Sequence, residues 1–240
     1  METLINILKK FDDNRKKAIS EKEKTIWEKK SLKEKYEAIA GWFMPCAEEL
    51  LCKGYFLING KYIIDLGAIE LYYHEEDGEI KDTKMYHTNA QVPKAFKKRL
   101  DNYPNQLPLF YKVLKENEGY LPYLKKGSFN LHQSGIDVTF ENDDNKQDKY
   151  RASFLIRSYR MFEKDDPNRE IILYDPCSSH IYEDLYNAGL LFWGNEKISI
   201  QWVKNNEFGK EIEDEPCPRR NLDLKPYQFQ IKGLKDKEIK

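Results

Sequence analysis

The chain has 240 residues, enough to bury a sizeable core as one large domain or as one domain with an appended helical segment. Rings from 16 Tyr and 12 Phe supply core area, so the 34% charged residues do not imply disorder. The formal net charge of −1 lacks the global basic excess of a nonspecific nucleic-acid binder, and any anionic partner must be met by a local patch. No apolar run is long enough for a membrane span, so no membrane partner is expected. The N-terminus is amphipathic and lacks the apolar stretch of a signal peptide, which points to the cytoplasm. Cys46, Cys52, Cys177 and Cys217 show no paired spacing of a zinc site or a disulfide framework, and the four His form no metal-binding pattern. No metal and no cofactor are expected.

In chain order, residues 1 to about 38 read as an amphipathic helical segment, with Leu4, Ile5, Leu8 and Phe11 at helical spacing. A second helix over Ala38–Lys53 buries Trp42, Phe43, Cys46, Leu50 and Leu51, with Gly54 as its stop. Asn59-Gly60 is a strong hairpin signal joining a strand at Tyr55–Ile58 to a long strand from Tyr62 to about Tyr73. A polar loop over His74–Gln91 contains an acidic run, and helical pieces follow near Pro93–Leu100 and Pro108–Glu116. Strands are expected at Ser128–Leu131, Ile136–Glu141, Tyr150–Tyr159 and Glu170–Leu173, with a turn over Asn142–Lys149. A helix at about Ser179–Ala188, a strand at Ile198–Val203 and a last strand near Tyr227–Gln230 complete the reading. Strands joined by hairpins rather than regular crossovers predict an α+β fold with a curved mixed or antiparallel sheet, surrounded by helices. The organisation expected is a helical segment over 1–38 packed on an α+β domain over 39–232, with a tail at 233–240.

The long strand carries the chemistry. Side chains alternate, so Ile64, Leu66, Ala68, Glu70, Tyr72 and His74 share one face and Ile63, Asp65, Gly67, Ile69, Leu71 and Tyr73 the other. Glu70 is a carboxylate on an otherwise apolar or aromatic face, where burial demands a partner. Arg157, in the apolar run Phe154-Leu155-Ile156, needs a carboxylate or phosphate for the same reason. The two satisfy each other if their strands are neighbours, either as a structural ion pair or as a catalytic carboxylate oriented by arginine. Asp137 adds a carboxylate able to bond a ribose or a base, and His132 sits just before the Gly135 turn. His180 reads as structural beside a Ser pair that resembles a helix cap, and Cys177 has no evident activating base. Lys97, Lys98 and Arg99 form the leading phosphate-contact patch, with Arg219-Arg220 second.

The ordered set GKYIIDLGAIELYY, His87, GIDVTF and YRASFLIRSYR resembles the alkyladenine (3-methyladenine) DNA glycosylase family over about Trp42 to Arg160. The resemblance implies a monofunctional glycosylase that flips a modified purine out of double-stranded DNA, with a monomer expected. Glu70 would activate a water against C1′, Arg157 would hold Glu70 and the water, Tyr72 would stack on the base, and His87 would stack or bond opposite. The family's wedge residue maps onto no single position here; Phe129, Leu131 or His132 could fill that role. The acidic run Glu75, Glu76, Asp77 and Glu79 would repel phosphates. Two other readings stand beside this one: a binding protein that has lost the chemistry, and an N-glycosidase acting on free nucleosides or nucleotides.

Overall fold

The computed structural model describes residues 3–20, 23–85, 102, 122–141, 149–190, 198–219 and 225–234. The chain divides into two compact units, one built from 1–71, 129–138 and 154–240, the other from 72–128 and 139–153. As expected from the sequence, the fold is α+β, with N-terminal helices flanking an antiparallel sheet.

The first unit opens with three helices, α1 (Leu4–Ala18), α2 (Lys24–Lys29) and α3 (Leu32–Cys52), where the sequence reading had one segment to residue 38 and a second helix from Ala38. The cause is local. Ser31 Oγ accepts the Glu34 N–H at 3.3 Å, and Glu34 Oε2 accepts the Ser31 N–H at 2.7 Å, a reciprocal cap that starts α3 six residues early. Ile7, Leu8 and Phe11 of α1 are fully buried, and the Phe11 ring meets Trp42 and Phe43 edge-on at 6.2 and 6.3 Å. Phe43 in turn packs on Phe154 and Phe229, at 6.2 and 5.2 Å, which seats α3 on the sheet.

The strands are β1 (Gly54–Ile58), β2 (Tyr62–Glu75), β3 (Phe129–His132), β4 (Gly135–Thr139), β5 (Tyr150–Glu163), β6 (Ile200–Lys204) and β7 (Gln228–Gln230). They pair in the order β3-β4-β5-β2-β1-β6, with β7 beside β2. Asn59 and Gly60 both take positive φ, 49° and 70°, so the chain reverses between β1 and β2 where the sequence signalled it. The register places Glu70 opposite Gln228 and Ala68 opposite Gln230.

The expected strand at Glu170–Leu173 is absent. Asp166 accepts the Asn168 N–H at 2.7 Å and Ile171 N–H bonds Asn168 C=O at 2.9 Å, so local turns engage the backbone a ladder would need. Ile171 and Leu173 stand exposed as a result. The chain continues through a short 3₁₀ turn, Ser178–His180, into α4 (Ile181–Asn187). The Ser pair does not cap α4; Ser178 spends its hydroxyl on the Ser134 carbonyl at 2.6 Å. The helices expected near Pro93–Leu100 and Pro108–Glu116, and the turn residues 142–148, lie outside the described residues.

In the second unit, Arg151 is 1% exposed. Its guanidinium pairs with Glu76 and Glu141, bonds the Pro122 carbonyl at 3.2 Å and lies 4.1 Å over the Tyr123 ring. Glu75 accepts the Tyr73 hydroxyl at 2.9 Å and the Ile80 N–H at 3.3 Å. Two carboxylates of the acidic run are therefore bound within the unit. The His74 Nδ1 accepts the Asp82 N–H at 3.0 Å, and burial holds this imidazole below its ordinary pKa.

Candidate active site

Two buried carboxylates of β2, Asp65 and Glu70, each face an arginine of β5, and the difference between these pairs is chemically informative. Asp65 is fully buried and fully engaged. Its Oδ2 accepts Arg160 Nε at 2.8 Å and the Tyr174 hydroxyl at 2.6 Å, and its Oδ1 accepts the Lys210 ammonium. Arg160 also bonds the Arg169 carbonyl at 3.2 Å and stacks 5.0 Å over the Tyr174 ring. A Cβ on Gly67 would sit 2.6 Å from that ring, so glycine is what lets Tyr174 close down toward Asp65. Burial lowers the Lys210 pKa and raises that of Tyr174. Asp65 thus holds one end of a saturated structural cluster with two cations.

In the Glu70–Arg157 pair the arginine is incompletely bonded among the described residues. Glu70 is 1% exposed, while the Arg157 side chain is 21% exposed and meets solvent. Arg157 Nε lies 3.4 Å from Glu70 Oε1, an ion pair by distance, yet this buried N–H makes no aligned hydrogen bond among the described residues. Its Nη1 reaches Ser178 Oγ only at 3.5 Å. The neighbouring β strands thus bring Glu70 and Arg157 together as the sequence suggested, and leave the guanidinium with bonding capacity unused.

His132 and Asp137, singled out separately in the sequence, lie together. His132 Nε2 lies 3.2 Å from Asp137 Oδ1, across the β3–β4 hairpin. His132 Nδ1 accepts the Ser134 N–H at 3.1 Å, which in the neutral ring puts the proton on Nε2, facing Asp137. The Tyr182 hydroxyl locks the His132 main chain, accepting its N–H at 3.0 Å and donating toward its C=O at 2.7 Å. Ser178 links the two pairs, donating to Ser134 C=O and receiving Arg157 Nη1.

Tyr72 is buried on β2 and belongs to the second unit. His87, Lys97, Lys98 and Arg99 lie outside the described residues. Arg219 is corrected as a phosphate contact: it is 2% exposed and packs 5.7 Å over the Tyr227 ring, with no face for a phosphate. Cys177, read as lacking a base, sits beside an Asp175–His180 ion pair of 2.9 Å. Burial pushes this thiol up, but hydrogen bonds from Ser179 and the His180 N–H outweigh it and hold the thiol below its ordinary pKa.

Gln228, Ser178 and Tyr182 were missed by sequence reasoning. Gln228 had a signal, since Gln228 and Gln230 alternate with Tyr227, Phe229 and Ile231 at strand period. A cleft of about 420 Å³ is lined partly by Cys52, Lys53 and Lys210, and another of about 490 Å³ lies beside Tyr182 and Tyr186; Glu70 lines neither. Among the described residues, no group of three His, Cys, Asp or Glu side chains is placed to hold a metal ion, and no helix is long and apolar enough to cross a membrane. Comparison of the chain with family models, with curated proteins and with solved structures gives no match to any of them.

Proposed function

We propose that the chain hydrolyses N-glycosidic bonds, with Glu70 as the general base. The observation that carries this reading is the incompletely bonded Arg157 guanidinium facing the buried Glu70 carboxylate, in contrast to the fully bonded Asp65–Arg160 cluster. A buried group whose bonding is incomplete needs a reason, and a bound substrate or water is one. Glu70 takes a proton from a water whose oxygen attacks C1′; the C1′–N bond breaks and its electron pair leaves with the base. The Glu70 carboxylate also stabilises positive charge developing on the sugar. Arg157 positions Glu70 and the water, and the His132–Asp137 pair supplies polar contacts for the sugar or base.

The substrate proposed first is a modified purine in duplex DNA, which the family resemblance implies. The burial of Arg219 and the net charge of −1 support a second substrate, a free nucleoside or nucleotide. Base release from alkylated and deaminated duplex DNA, run beside release from the matching nucleosides, separates the two. Release from both wild-type reactions that persists in Glu70→Gln would overturn the mechanism.

A further inference from the structure

Gln228 stands directly across the β2–β7 ladder from Glu70. Residues paired in this way project to the same side of a sheet, with Cβ atoms about 5 Å apart. Its backbone is pinned on the other edge as well: its N–H bonds Cys217 C=O at 2.9 Å and its C=O accepts the Cys217 N–H at 2.8 Å. The side chain is therefore held by a strand tied on both sides. Nε2 donates to Gln230 Oε1 at 3.0 Å. Oε1 has no hydrogen-bond partner among the described residues, although Gln228 is only 4% exposed.

Two unmet buried groups of opposite sense thus flank one carboxylate: the Gln228 Oε1 acceptor and the Arg157 Nε donor. A buried acceptor left open is rare in a folded core, because desolvating it without a donor is unfavourable. The missing partner is a donor, and the position is fixed next to the proposed base. We propose that Gln228 is a specificity-determining residue whose Oε1 accepts an N–H from the substrate's base. The inference rests on the glycosidase reading of Glu70 and narrows it. The substrate class becomes purines that present an amino or lactam N–H to β7, and bases without that donor are rejected because Oε1 stays unpaired.

The test is calorimetric binding of adenine and of unsubstituted purine, which lacks the amino group, to the full chain. Wild type is expected to bind adenine about tenfold more tightly than purine, the scale of one hydrogen bond. Gln228→Leu and Gln228→Met both remove the acceptor while keeping an apolar stem. Each should lower adenine binding to the level of purine, leave purine unchanged and melt no lower than wild type. A merely structural glutamine would instead lower the melting temperature and leave the ratio of affinities intact. Equal binding of the two bases, or a preference that survives in both variants, overturns the assignment while the Glu70 mechanism stands. No binding of either base to wild type also overturns it, and base release then decides separately whether the glycosidase reading survives.

Discussion

Asp65 and Glu70 lie five residues apart on β2, and exchanging each carboxylate for its amide makes the same chemical change in two different settings. Asp65→Asn removes the negative charge that Arg160 Nε and Lys210 Nζ both face, at a site with no solvent exposure. Removing one partner of a buried ion pair costs roughly 3–5 kcal/mol, since the remaining charge is stranded. In a protein of this size that lowers the melting temperature by roughly 6–20 °C. Glu70→Gln keeps the side-chain length and faces a guanidinium that still reaches water, so its cost should be clearly smaller than that of Asp65→Asn. The assay is thermal and denaturant unfolding of both variants, with the second confirming an unchanged m-value. If Glu70→Gln falls as far as Asp65→Asn, Glu70 is a structural half of an ion pair, and the reasoning that separates the two carboxylates fails.

The thiols should label in a set order. Under native conditions near pH 8, iodoacetamide should modify Cys177 first, while Cys46, whose pKa burial pushes up to about 12 and whose Sγ donates to the Ile7 carbonyl, stays unmodified. Labelling of Cys46 as fast as Cys177, read by peptide mass, would mean that α1 does not stay closed on α3. A pH dependence should come from His74. Because burial lowers its pKa in the folded state, the unfolded chain binds the proton more readily. Stability from this group is therefore full above the unfolded value of about 6.5 and is lost as pH falls from there toward the lower folded value. Hydrogen exchange of the Asp82 amide between pH 5 and 8 reads it directly. Protection that is flat with pH in wild type, or that falls equally in His74→Asn, would contradict the assignment.

Much of the frame was written locally. Asn59-Gly60 dictated its turn, because few residue pairs accept two consecutive positive φ values. Glu70 and Arg157 found each other because two opposite charges in apolar strands have few other outlets. The α3 start was also legible, in Ser31-Leu32-Lys33-Glu34, but lay hidden inside a longer amphipathic pattern that masked the breaks between helices. Ile171-Ile172-Leu173 misled because apolar content alone does not make a strand; the preceding Asp166-Pro167-Asn168 turn decided the backbone. The saturation of Asp65 was beyond local reading, since its partners Tyr174 and Lys210 lie 109 and 145 residues away in sequence. Sequence distance also hid the placement of Gln228 opposite Glu70, which depends on β7 pairing with β2.

The most direct test of the central claim is release of free base by the purified chain, measured on alkylated or deaminated duplex DNA and on the corresponding nucleosides. Wild type should release base from at least one of them. Glu70→Gln, folded as stably as wild type, should be slower by roughly 10²–10⁴-fold, the usual worth of a general base. A folded Glu70→Gln protein that releases base at the wild-type rate, or a wild-type protein that releases none from either substrate, would contradict it.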